Sequence, residues 1–129
     1  MTKKPLILVI FIFSLVTNIL AQEVKEDRLV TKANKSYENF SFSPAIDIYK
    51  RVLDKGFVSA DLLKKLGNSY YFNADYNGAA ETYKRLVDEY VSSVTPEYYF
   101  RYAQTLKTLG DYENSNVFMS KFTEATSDD

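Results

Sequence analysis

Two series of small residues return along this chain at intervals of 34 and then 36 positions. They are Ala33, Gly67 and Ala103 in the first series, and Ala45, Ala79 and Ser115 in the second. A period near 34 residues is typical of arrays of paired helices. Because two helices approach most closely where their facing side chains are small, we expect the helices of each pair to cross at these residues.

Apolar residues between the small ones follow the helical period. In the middle unit Leu63, Leu66, Tyr70 and Ala74 fall on one stripe, and a second stripe begins at Tyr76. The pattern predicts an all-α chain of three antiparallel helix pairs, stacked as a right-handed α-solenoid. The three units are expected at about 26–55, 60–92 and 96–124.

Turn and capping residues mark the ends of the predicted helices. Gly110 suits the position just beyond a helix, because glycine adopts a left-handed backbone conformation at little cost in free energy. Asp111 suits the N-cap position of the helix that follows. A hydroxyl residue followed by proline predicts a helix start. Two dipeptides have this form, and they are Ser43-Pro44 and Thr95-Pro96.

Residues 1–21 have the composition of an export signal. A largely apolar run over 5–20 follows two lysines, and Ala21 is a small residue suited to cleavage before Gln22. The run is short for a bilayer core of about 30 Å, so we expect a cleaved signal peptide, with an uncleaved N-terminal anchor as the alternative. The repeat domain would then span 22–129 in an exported protein, in the periplasm or at the periplasmic face of an outer membrane.

Missing residue types argue against most catalytic and metal chemistry. The chain has no cysteine and no histidine, which removes disulfides, thiolate and imidazole metal ligands, and the usual nucleophile–base pairs. Its formal net charge is −1, without the basic stripe that nucleic acids require. Lys65 and Ser69 stand four positions apart, but the sequence beside them suggests no oxyanion hole. We therefore expect no catalytic residue, cofactor, metal or small-molecule substrate.

The middle unit resembles the tetratricopeptide repeat (TPR). The segment LGNSYY at 66–71 is followed by DY at 75–76 and AAETY at 79–83, and related residues recur in the other two units. The resemblance extends over roughly 27–122. It implies a stack of helix pairs that binds other proteins.

A narrower resemblance joins the signal segment to three longer stretches. They are NKSYENFSFSPAIDIYKRVLDKGF, LLKKLGNSYYFNADYNGAAETYKRLV and PEYYFRYAQTLKTLGDYENS. Together they are similar to the N-terminal TPR segment of Bacteroidota envelope proteins, in which a β-propeller-like region and an OmpA-like peptidoglycan-binding domain usually follow. Some members of that family belong to the type IX secretion and gliding apparatus. Neither later region occurs within these 129 residues.

The inner surface of such a stack is the candidate binding site. The first helix of each pair lines this surface, and residues that flank its packed stripe point into the groove. Amide side chains can pair with a peptide backbone, and aromatic side chains add contact area. The predicted groove residues are Asn34, Tyr37, Lys64, Asn68, Tyr71, Phe72, Phe100, Gln104 and Lys107. The alternative for Tyr37 and Tyr71 is packing between units.

Some TPR domains hold the C-terminal carboxylate of a ligand with lysine, arginine and asparagine side chains. Asn34 and Arg101 fit part of this pattern. Val30, however, stands where a lysine is expected, and Glu97 would repel an anion. We therefore expect no such clamp.

The last predicted helix, at about 112–124, has an apolar surface with little sequence after it. This surface comprises Val117, Phe118, Met119 and Phe122. Because the last helix of a solenoid needs a polar outer face, we expect self-association at this end.

The sequence therefore predicts a non-enzymatic scaffold of the cell envelope that binds a peptide or a partner protein. Components of a secretion or gliding complex are candidate partners. The alternative is a structural segment that positions a propeller and OmpA-like region.

Overall fold

The computed structural model describes Val16 and residues 27–127, and within 27–127 the chain forms six α-helices and no strand. The helices are α1 (27–38), α2 (Phe42–Asp54), α3 (Ala60–Phe72), α4 (Tyr76–Glu89), α5 (Pro96–Thr108) and α6 (Tyr112–Thr126). A 3₁₀ turn, Val91–Ser93, precedes α5. The two extra residues of the second interval are divided between α4, which is one residue longer than α2, and the connection after α4, which is one residue longer than the connection after α2. The predicted all-α chain of three helix pairs is confirmed, whereas the predicted signal peptide lies outside the described residues except at Val16.

The small residues lie where the helices of each pair cross, as predicted. The four alanines of the two series are completely buried. A Cβ atom at Gly67 would lie 2.5 Å from Cε1 of Tyr83, so α3 approaches the α4 side chain too closely for any substituent. In the third pair, Ser115 takes the place of alanine and donates a 2.8 Å hydrogen bond to the carbonyl of Ala103.

The core consists of two clusters that each bridge neighbouring pairs, and α3 belongs to both. Leu62 and Leu66 pack with buried residues of α1 and α2, whereas Leu63 packs with α4 and α5. The α3 helix also contacts α5 directly. The second pair is therefore the structural centre of the array. None of the described helices is long and apolar enough to cross a membrane.

The turn inside each pair has the same backbone geometry in all three units. Phe40, Ala74 and Gly110 have φ angles of 57°, 58° and 84°, in the left-handed region. The next residue donates its N–H to the carbonyl five residues earlier, over 2.8, 2.9 and 2.9 Å respectively. Asp75 and Asp111 then cap the following helix by accepting from the N–H three residues ahead. The pairing geometry thus holds Phe40 in a conformation that favours glycine.

Two helix ends differ from the sequence prediction. Helix α2 begins at Phe42 rather than after Ser43. The left-handed residue of the turn is Phe40, so the turn is complete at Ser41, which is the N-cap of α2. Pro44 then lies in the first turn, where its missing N–H removes no helical hydrogen bond. Helix α3 ends at Phe72, so Ala74 belongs to the turn and not to the core stripe.

Helix α6 is covered on one side by α5. The rings of Phe118 and Tyr102 are 4.4 Å apart, and those of Phe122 and Phe100 are 5.3 Å apart. Val117 remains 48% exposed. The open apolar surface is therefore smaller than the sequence suggested, and self-association through it stays a prediction.

Candidate protein-binding face

Helices α1, α3 and α5 share one side of the array, which we call the first-helix face. Hydrogen bonds and ring contacts connect α1 with α3 and α3 with α5 directly. All nine predicted groove residues belong to these three helices. Their positions within the face differ, however, in ways that the helical period does not reveal.

Asn68 lies at the centre of this face but below its surface, with 3% of its area exposed. Its Nδ2 donates to the hydroxyl of Tyr37 on α1 over 3.0 Å. Its Oδ1 accepts from the hydroxyl of Tyr83 on α4 over 2.8 Å and from Nη1 of Arg101 on α5 over 3.3 Å. One amide therefore connects all three pairs. This corrects the expected position of Asn68, because neighbours occupy the atoms that were expected to pair with a ligand.

The bond between Asn68 and Tyr83 is one of two equivalent bonds in the array. In the first pair Tyr49 donates to Oδ1 of Asn34 over 2.7 Å, and both partners lie 34 positions before those of the second pair. Burial raises the pKa of both tyrosines far above the usual range, so both hydroxyls stay protonated and donate. The third unit has Met119 at the tyrosine position, and a methionine has no hydroxyl to donate. The recurrence of Asn and Tyr at this period is a sequence signal that could have revealed the bond.

Two cations of the first-helix face lie over aromatic rings. Cζ of Arg101 is 5.6 Å from the ring centroids of both Phe72 and Tyr98, and Nζ of Lys64 is 5.1 Å from the Tyr98 centroid. The face of an aromatic ring attracts a cation at these distances. Tyr98 was not among the predicted groove residues, and Arg101 was expected at most to form part of a clamp. Their spacing of i and i+3 on α5, which places both on one side of that helix, was the available signal.

Exposed aromatic rings continue the face towards the turn before α2. Phe72 is 50% exposed and stacks on Phe42 with 5.3 Å between ring centroids and an interplanar angle of 27°. Phe40, 80% exposed, contacts the edge of Phe42 at 6.2 Å. Tyr71 meets Phe72 edge to face at 5.4 Å. These rings form an apolar row beside the two cations.

The structure joins five of the nine predicted groove residues into one connected cluster. They are Tyr37, Lys64, Asn68, Tyr71 and Phe72. Asn34 instead bonds within the first pair, and Phe100 lies against Phe122 of α6. In the described part of the chain, Gln104 and Lys107 make no side-chain hydrogen bond, ion pair or ring contact with the cluster.

The spacing of Lys65 and Ser69 does not assemble a catalytic pair. The Ser69 hydroxyl is completely buried and donates to the backbone carbonyl of Lys65 over 2.7 Å. The ammonium of Lys65 binds Asp61 at 2.9 Å. The described residues also contain no group of three or more acidic, histidine or cysteine side chains that could hold a metal ion. The Lys65 ammonium and the Ser69 hydroxyl are therefore each held by other groups of α3.

Comparison with known proteins supports this description of the fold. Residues 62–93, which include most of α3 and all of α4, match the sequence model of the tetratricopeptide repeat. The crystal structure of PcrH in complex with the chaperone binding region of PopB is similar, with a TM-score of 0.68 and 16% identity over 83% of this chain and 85% of that chain. No curated protein matches the sequence. The resemblance to Bacteroidota envelope proteins stays a prediction, while the all-helical, TPR-like fold is shown.

Proposed function

We propose that this chain is a non-enzymatic scaffold that binds a peptide or a partner protein on its first-helix face. The observation that carries the proposal is the hydrogen-bond network of Asn68, which links three helix pairs on the face that also exposes the ring of Phe72. A surface whose helices are already fixed loses little conformational freedom when a ligand binds. Aromatic and arginine side chains, which this face exposes, are enriched at protein interfaces.

The PcrH structure supports the same proposal, since a protein of this fold is bound there to a region of another protein. Stacked helix pairs also provide an extended concave surface suited to a segment of another chain. A peptide segment is therefore the ligand that we would test first.

Phe72→Ala should weaken the binding of a peptide by about tenfold or more, because exposed aromatic anchors contribute strongly to interfaces. The melting temperature should change by no more than about 5 °C, since the ring is half exposed. Peptides selected from a displayed random library against the full chain serve as probes, and fluorescence polarisation gives their dissociation constants. Tyr112→Ala is the matched control, because Tyr112 is a 64% exposed aromatic residue on α6. Equal affinity for Phe72→Ala and the unaltered protein would reject the first-helix face as the site.

We also propose that the protein is exported to the cell envelope. The apolar run of 5–20 and Ala21 support this proposal. The mature protein isolated from the envelope fraction should begin at Gln22, and the intact mass of the purified chain measures this. Ala21→Leu should leave the precursor unprocessed, because signal cleavage requires a small residue. A full-length mass in the unaltered protein would instead favour the uncleaved anchor.

A further inference from the structure

Four lysines and arginines of the described residues are half-buried, and they fall into two kinds. Lys65 and Arg85 form ion pairs with carboxylates four residues away, both over 2.9 Å. Lys64 and Arg101 have no carboxylate within ion-pair distance in the described part of the chain, and both lie over the ring of Tyr98. The first-helix face therefore holds two half-buried positive charges that form no ion pair with a described carboxylate, and Glu97, four residues before Arg101 on α5, lies beyond ion-pair distance.

The guanidinium of Arg101 is held in place on three sides. The rings of Phe72 and Tyr98 each lie 5.6 Å from its Cζ, and Oδ1 of Asn68 accepts one of its N–H groups over 3.3 Å. A guanidinium has five N–H donors, so donors remain for a ligand. Arginine binds carboxylates with paired hydrogen bonds, and a fixed guanidinium loses little freedom in forming them.

We infer that the partner segment carries an acidic side chain whose carboxylate binds Arg101 and Lys64, with an apolar side chain beside it on Phe72 and Phe42. This inference rests on the proposed function and specifies its ligand. In an extended segment, side chains at i and i+2 lie on the same side about 6–7 Å apart. The guanidinium of Arg101 and the ring of Phe72 are 5.6 Å apart, so neighbouring side chains on one side of such a segment can reach both groups. The pattern expected in the partner is therefore an acidic residue, any residue, then an aromatic or aliphatic residue, in either direction.

An acidic side chain within the segment fits this site better than a chain terminus. Of the amides that would help to clamp a C-terminal carboxylate, Asn68 already uses its Nδ2 to donate a hydrogen bond to the hydroxyl of Tyr37. The positive charge lies instead between rings, where a ligand side chain can enter together with its apolar neighbour. We therefore assign the carboxylate to a side chain.

The test uses two pools of acetylated and amidated heptapeptides with randomised flanking positions. The third residue is Glu in one pool and Gln in the other, and the fifth residue is Leu or Phe in both. Binding to the full chain is measured by fluorescence polarisation. The Glu pool should bind about tenfold or more tightly than the Gln pool, because hydrogen bonds to charged groups are the stronger ones. Added salt should weaken only the Glu pool.

Arg101→Gln should remove the difference between the pools, since glutamine keeps an N–H donor for Asn68 but loses the charge. Lys107→Gln is the matched control, because Lys107 is an exposed cation on the same helix without a ring contact, and it should preserve the difference. If both pools bind equally and Phe72→Ala abolishes this binding, the inference is overturned while the proposed function stands. Failure of both pools to bind would contradict the proposed function and the inference together.

Discussion

Gly67→Leu should abolish the cooperative folding of this protein. A Cβ atom at this position would lie 2.5 Å from Cε1 and 2.7 Å from Cδ1 of Tyr83, and leucine adds further carbons beyond it. The Tyr83 ring is completely buried and lies near the rings of Tyr98 and Tyr102, so it has no space to withdraw. Overpacking of a core costs about 1–3 kcal/mol or more, a large fraction of the stability of a small domain. Thermal melting followed by circular dichroism measures the loss.

A pair of alanine variants separates this clash from a general effect of changing glycine. Gly78→Ala would place its Cβ 2.6 Å from the Tyr70 ring, a contact almost as short as that at Gly67. Tyr70, however, is half-buried beside a cleft of about 390 Å³ and can move aside. Alanine also improves helix propensity by about 1 kcal/mol at either site. Gly67→Ala should therefore destabilise the protein more than Gly78→Ala, and equal melting temperatures would contradict the packing argument.

Asn68→Ala should lower the free energy of unfolding by about 2–3 kcal/mol. The hydroxyl of Tyr83 would lose its Asn68 acceptor in a completely buried site, and an unsatisfied buried polar group costs about 1–3 kcal/mol. The lost hydrogen bonds of Tyr37 and Arg101 should lower the free energy of unfolding less, because both side chains are partly exposed and water can replace Asn68 as their partner. Urea denaturation measures the change.

A double-mutant cycle tests whether the hydroxyl of Tyr83 causes this loss. Tyr83→Phe removes the donor hydroxyl. It should therefore lower the free energy of unfolding less in the Asn68→Ala variant than in the unaltered protein. Asn34→Ala is the matched control, because Asn34 accepts the equivalent bond from Tyr49 but does not link further pairs. Strictly additive losses at Asn68 and Tyr83 would show that this bond within the second pair does not cause the loss, and a larger loss at Asn34 than at Asn68 would show that the contacts of Asn68 with the other two pairs contribute little.

The fold followed from the sequence because its signals are local and repeated. Small residues at intervals of 34 and 36 positions, such as Gly67, predicted the helix crossings. The N-cap of Asp111 and the left-handed Gly110 were also predicted, since each depends on a few neighbouring residues. Phe40 had no such signal, because its left-handed backbone is imposed by the pairing of α1 and α2 and not by its own preference.

The candidate site was predicted only in outline. The helical period placed Tyr37, Lys64, Tyr71 and Phe72 on the first helices but did not distinguish a side chain on the surface from one beneath it. Asn68 lies beneath because Tyr37, Tyr83 and Arg101, at separations of 31, 15 and 33 positions, converge on its amide. Periodicity along one helix contains no information about such distant partners.

Residue types at regular spacing were enough to predict three helix pairs and their crossing points, because helix formation and close approach depend on local sequence. The packing of the pairs was needed to show that Asn68 is a buried link between them and that Arg101 and Lys64 lie over the same Tyr98 ring. Burial and charge compensation depend on which side chains from different pairs meet, and local sequence does not contain this information. The proposed binding face therefore lies where the units contact one another.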